Sequence, residues 1–160
     1  MTDPVALKGI HHVEIAVGNA RQAAYYYRNA FGFRQVGYLG PETGHRDRAS
    51  YALAQGKINF VVTSPLSSGH ALSEHLKRHG DGVCDLALAV KDCDAAYAAV
   101  MERGATSVLE PHTVEDEHGR VRRAAIQTYG DTIHSFYETG DYDGPFLPGY
   151  APVEDDQEDD

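Results

Sequence analysis

Ile10-His-His-Val-Glu-Ile-Ala-Val17 and Val83-Cys-Asp-Leu-Ala-Leu-Ala-Val90 are the two stretches whose comparison decides the fold. Each is a short apolar run of strand character, and each leads into a helical pattern. After the first, Asn19 is placed to cap a helix over residues 20–31, with Gln22 three positions on. Its apolar face is Ala23, Tyr26, Tyr27, Ala30 and Phe31, and Gly32 ends it. After the second, Asp92 caps a helix over residues 94–103 with Ala96, Ala99 and Val100 on one face, and Gly104 closes it. The grammar repeats at a spacing of 73 residues, from Ile10 to Val83.

Three strands follow in each unit: residues 33–39, 48–54 and 57–63, then 107–112, 121–128 and 132–137. The last two of each unit meet at glycine turns, Gln55-Gly56-Lys57 and Gly130-Asp131. A strand–helix–three-strand unit cannot cover both faces of its own sheet, but two of them enclose a cavity. The fold class is therefore α+β, a duplicated βαβββ module with curved, mostly antiparallel sheets and flanking helices. Module one spans 10–63, a linker over 64–81 carries a helix at 71–79, and module two spans 82–138. An exit loop at 139–150 completes one domain over 1–150, and 151–160 is expected to be an acidic tail or linker stub.

Composition excludes several classes. Hydrophobic residues at 42% and charged ones at 24% do not describe a wholly disordered chain. The net charge is −10, but six acids between Glu154 and Asp160 leave −4 for the body, with no basic stripe for nucleic acid. Two cysteines make neither a disulfide framework nor a metal cluster. No apolar run approaches the roughly 18 residues of a membrane helix, and the N-terminus lacks the pattern of a signal peptide. A soluble cytoplasmic protein with no membrane partner is expected.

Strand alternation assigns side chains to faces. Val13, Ile15 and Val17 lie under the helix, so His12 and Glu14 face the concave side, as does Asp85 in the fifth strand. His134 is counted with these concave polar residues, although in the last strand His134 and Phe136 share one face and Ile133, Ser135 and Tyr137 the other. His12 and Asp85 are candidates for part of a two-nitrogen, one-oxygen metal site, or for a hydrogen-bonded polar pair, since no third ligand falls on their face. His75 and His79 have the i, i+4 spacing of a zinc chelate but lack the glutamate of a protease motif. Tyr25, Tyr26 and Tyr27 point three ways from a helix and read as packing. His11, His45, His70, His112 and His118 read as surface histidines, and no nucleophile elbow, phosphate loop or CxxC is present.

The duplicated module opening with Ile10-His11-His12-Val13 resembles the vicinal oxygen chelate superfamily. The resemblance narrows with Val17-Gly-Asn-Ala-Arg-Gln-Ala-Ala-Tyr-Tyr26, Ala30-Phe-Gly-Phe33 and His79-Gly-Asp-Gly-Val-Cys-Asp85. With Gln127-Thr-Tyr-Gly130 and Asp143-Gly-Pro-Phe-Leu-Pro-Gly-Tyr150 added, the stretch from Ile10 to Tyr150 is similar to the N-terminal half of the 4-hydroxyphenylpyruvate dioxygenase family. That resemblance implies a longer enzyme whose Fe(II) sits in a C-terminal catalytic domain, on a first-strand His, a fifth-strand His and a last-strand Glu. Carried to this chain, those positions are His12, Asp85 and Phe136. No catalytic or metal-binding residue is then expected here. The implied role is packing against the catalytic domain and homo-oligomer assembly. Hydroxymandelate synthase shares this architecture. Two further alternatives stay open: a free-standing glyoxalase- or extradiol-like metalloenzyme using His12 with His134 or Glu138, and a metal-free small-molecule-binding protein.

Overall fold

In the computed structural model, which describes residues 3–153, β1 (Leu7–Ala16) and β5 (Gly82–Val90) run antiparallel down the middle of one eight-stranded sheet. The expected acidic tail from residue 154 onward lies outside the described residues. Module one continues with α1 (Ala20–Phe31), β2 (Arg34–Leu39), β3 (Arg48–Gln55) and β4 (Ile58–Pro65), with a short 3₁₀ turn at Pro41–Thr43. Then come α2 (Ala71–His79) and, after β5, α3 (Cys93–Glu102), β6 (Ser107–Asp116), β7 (Gly119–Gln127) and β8 (Ile133–Glu138). The strand order is β2-β3-β4-β1-β5-β8-β7-β6, with β1 parallel to β4 and β5 parallel to β8.

The repeat is a symmetry of the pairing itself. Ile10 faces Leu88 and Ile15 faces Val83; His12 faces Ala87 and Glu14 faces Asp85. Each couple is the other's image under the 73-residue spacing, and Val13 opposite Leu86 marks the pseudo-dyad. The two modules thus meet as the halves of a two-fold dimer meet, with one patch used twice.

Local chemistry sets the helices. Asn19 accepts the Gln22 N–H at 3.0 Å and Asp92 the Ala95 N–H at 2.9 Å, satisfying donors the first helical turns leave free. Gly32 closes α1 with φ 74°, a left-handed conformation that favours glycine. On the convex side α1 buries Ala20 and Ala24 with Val17, Phe33, Leu53 and Val62, while α3 buries Cys93 and Ala96 with Val90, Ala124 and Phe136. Of the three consecutive tyrosines, Tyr25 and Tyr26 are exposed, and Tyr27 packs edge-on against Phe33 and Phe60.

The two largest boundary differences from the sequence reading have a pairing reason. β1 begins at Leu7 because Leu7 pairs with Val90, the strand bending at Gly9, whose φ of 149° suits a residue without a side chain. β6 runs on to Asp116 because its ladder with β7 continues from His112 to the Asp116–Gly119 pair. Leu53 is fully buried, so Leu53→Ala is expected to cost about 2–5 kcal/mol in urea unfolding. Ile10→Ala, at a position 60% exposed, should cost no more than about 0.5 kcal/mol.

Candidate functional site

Two β-bulges shape the concave face. Between Ile10 and His12 the β1 strand carries one residue more than its partner, and between Val83 and Asp85 the β5 strand does the same. The extra residues are His11 and Cys84, again 73 positions apart. A bulge lets two consecutive side chains share a face. His11 and His12 therefore both look into the concavity, and so do Cys84 and Asp85. His11 is thus no surface histidine: its ring stacks on Tyr137 with centroids 5.2 Å apart and lies 5.6 Å from Phe146.

His11 Nδ1 and His12 Nδ1 are 2.8 Å apart, a hydrogen bond in which one ring donates and the other accepts. The accepting ring must be neutral, and burial favours the neutral form of both. Burial lowers the His11 pKa to about 4; burial, then the neighbouring His11 and Arg123 charges, lowers that of His12 to about 3.

Asp85 is committed elsewhere. Its Oδ1 accepts the Ser135 N–H at 3.0 Å and its Oδ2 accepts the Ser135 hydroxyl at 2.5 Å. Burial raises its pKa, against the pull of the Ser135 hydrogen bonds. Glu14, half-buried beside it, is also shifted upward, first by burial and then by the Asp85 charge. Arg123 lies with its guanidinium carbon 5.4 Å from the Tyr137 ring centroid and donates one N–H to Ser135 Oγ at 3.3 Å. Sequence reading left both Arg48 and Arg123 aside, yet together with Glu14 they line both halves of the concavity.

The other predicted residues go to the opposite face. Phe136 is buried under α3 with Val90, Cys93 and Ala96. His134, counted among the concave residues, shares that helix-side face and donates its Nδ1–H to the Leu86 carbonyl at 2.8 Å. Glu138 Oε2 accepts the Cys93 N–H at 2.8 Å, at the start of α3. The set of His12 with His134 or Glu138 is therefore split across the sheet. His79 Nε2 pairs with Asp131 at 2.7 Å and not with His75 in a chelate. Among the described residues no three His, Cys, Asp or Glu side chains converge as metal ligands.

The exit loop is part of the site. Tyr142 bridges to Gly119, Asp116 Oδ2 accepts the Tyr142 hydroxyl at 3.0 Å and the Gly149 N–H at 3.1 Å, and Ala151 bridges to Tyr38 on the far edge strand. The segment therefore crosses the mouth of the sheet from β7 to β2. It drops Leu147 among Ala87, Val121 and Tyr137, and Phe146 within 5.4 Å of the His12 ring centroid. What remains open is a cavity of about 410 Å³ under α2 and a smaller one of about 190 Å³ under the exit loop.

The ligand positions do not fit a ferrous ion. A facial triad needs two imidazoles and a carboxylate with lone pairs free. Here His12 is bonded to His11, Asp85 has both oxygens bonded to Ser135, and the concave side chains nearest in β8 are Ser135 and Tyr137.

The family described as hydroxyphenylpyruvate dioxygenase, HPPD, N-terminal, matches residues 1–144. The 4-hydroxyphenylpyruvate dioxygenase of Xenopus tropicalis is 49% identical over 142 residues, covering 88% of this chain and 36% of that protein. Its namesake from Aspergillus fumigatus is 45% identical over 157 residues, covering 89% and 39%. The chain thus spans about two-fifths of the length of the curated relatives it matches. Among solved structures, a mutant 4-hydroxymandelate synthase from Streptomyces coelicolor superposes with TM-score 0.82 at 24% identity, over 96% of this chain and 44% of that one. Methylmalonyl-CoA epimerase from Mycobacterium tuberculosis superposes with TM-score 0.70 at 22% identity, over 86% and 92%. At those identities the two structures bear on the fold alone.

The neutral histidines make a pH prediction. Both take up protons more readily unfolded, near pH 6.5, than folded, so their stabilising contribution is complete above about pH 6.5 and is lost as pH falls through 4. His11→Phe keeps an aromatic ring against Tyr137 and removes one titrating group. Between these pH values the wild-type unfolding free energy should fall more steeply than that of His11→Phe, by up to about 1.4 kcal/mol per pH unit. Urea titrations across the range check this.

Proposed function

This chain belongs to the hydroxyphenylpyruvate dioxygenase N-terminal family, and from that membership we propose that it is the first part of an Fe(II)-dependent 4-hydroxyphenylpyruvate dioxygenase. The whole enzyme would convert 4-hydroxyphenylpyruvate and O₂ to homogentisate and CO₂, a step of tyrosine catabolism. It would do so in the cytoplasm, and among the described residues no helix is long and apolar enough to cross a membrane. Within it, this domain is a metal-free scaffold, the iron being held by a C-terminal catalytic domain. The observation that carries this reading is the spent donor set: His12 on His11, Asp85 on Ser135, and Phe136 turned under α3.

The scaffold role has a surface to work through. Ile10 and Val83, equivalent in the two modules, stand on the convex face of the central strands at 60% and 45% exposure, with Ile58 at 50% on the neighbouring β4. Exposed apolar side chains on a sheet face of this kind are what a domain partner or a second copy covers. The parts of the enzyme that cover it are the catalytic domain and other protomers of a homo-oligomer.

Two measurements test the proposal on the full-length protein. Loaded with Fe(II), it is expected to form homogentisate from 4-hydroxyphenylpyruvate, and His12→Ala should keep turnover within about threefold of wild type because His12 holds no metal. Formation of 4-hydroxymandelate instead, or a loss of about a hundredfold or more in His12→Ala, would contradict it. Ile10→Glu combined with Val83→Glu is expected to lower the assembly state in sedimentation, since two charges cannot be buried unpaired in an apolar contact.

A further inference from the structure

The 410 Å³ cavity beneath α2 contains a charge arrangement that the scaffold role does not use. Arg48 and Arg123 both line it, from β3 and β7 on opposite sides of the sheet. Among the described residues neither guanidinium forms an ion pair with a carboxylate. Arg123 Nε is buried with no hydrogen-bond partner, and the group's one polar contact is the Ser135 hydroxyl at 3.3 Å. A guanidinium carries five N–H donors, so a cavity lined by two of them without carboxylate partners has donors to offer a further acceptor. The carboxylate best placed to supply it, Asp85, has both oxygens on Ser135.

We propose that this cavity is a binding site for a small organic monocarboxylate, held between Arg48 and Arg123 with its apolar body against Leu72, Val108 and Ile133. The planar fork of a guanidinium matches a carboxylate, and two forks with free N–H groups supply more donors than one carboxylate requires. The volume lies in the range of small-molecule sites, about 300–1,000 Å³. Glu14 and Asp85 stand beside the arginines and select against a second negative charge on the guest, which separates a carboxylate from a phosphate dianion. One wall of the cavity is helix α2. None of its residues is fully buried, and Gly69 and Gly80 flank it. Its last turn is fastened by His79 to Asp131 at 2.7 Å. The site stands on this chain's own side chains and is independent of the dioxygenase assignment.

Benzoate is the probe, with benzamide as its neutral isostere and phenylphosphonate as the dianion. At about pH 8.5, where phenylphosphonate is a dianion, the chain is expected to bind benzoate saturably in calorimetry at millimolar concentration or below, with a rise in melting temperature. Benzamide and phenylphosphonate should each bind at least about tenfold more weakly. Arg48→Gln, at a half-buried position with no ion pair to lose, is expected to fold normally and to weaken benzoate by about tenfold while leaving benzamide unchanged. Leu72→Trp, which fills the cavity, should abolish binding in a folded protein. No saturable benzoate binding up to about 10 mM, equal binding of benzamide, tighter binding of phenylphosphonate, or undiminished affinity in Arg48→Gln would each overturn the proposal.

Discussion

The antiparallel pairing of β1 with β5 is the constraint on which the rest depends. It joins two modules that could not each cover their own sheet, and it does so about a pseudo-dyad at Val13 and Leu86. Of the three irregularities in this pairing, the two nearest the pseudo-dyad mirror one another, while the one between Leu7 and Gly9 belongs to β1 alone. The bulge at His11 has its image at Cys84, so two pairs of consecutive side chains are turned into the concavity from the centre of the sheet. In module one the pair is two imidazoles; in module two it is a thiol and a carboxylate. On two alike backbones the side chains differ, and among the described residues they do not supply three converging metal donors.

The concave face then closes on itself. His11 and His12 satisfy one another, Asp85 and Ser135 do the same, and Ser50 and Thr63 pair at 2.7 Å across β3 and β4. In a low-dielectric interior such reciprocal pairing removes the cost of burying each group, and it leaves each less available to a ligand. The exit loop completes the closure by laying Phe146, Leu147 and Tyr150 over the same residues. Much of a polar concavity on a glyoxalase-like sheet is in this way taken up by packing, and Arg48 and Arg123 line what remains open.

Much of this was legible in the sequence because it is local. The 73-residue repeat, the caps at Asn19 and Asp92, the α2 span and the concave placement of His12, Glu14 and Asp85 follow from periodicity and capping chemistry. The bulges were not legible, since a bulge is a mismatch between two strands and neither strand shows it alone; His11 was misplaced for that reason. His134 follows the alternation of Phe136, which the α3 core binds to the helix side, and so leaves the concave face expected of it. Placing the last-strand ligand at Phe136 put that position one residue off the concave set of Ser135 and Tyr137. Arg48 and Arg123 stood in plain strands, but their common cavity depends on the curvature of the whole sheet. The irregular exit loop carries no periodicity from which its docking across β7 and β2 could be read.

The most direct measurement is an anaerobic Fe(II) titration of this chain, followed by gel filtration and metal analysis. The account predicts that no stoichiometric iron travels with the protein and that His12→Ala changes nothing. One tightly held ion per chain, lost when His12 is replaced by alanine, would contradict it.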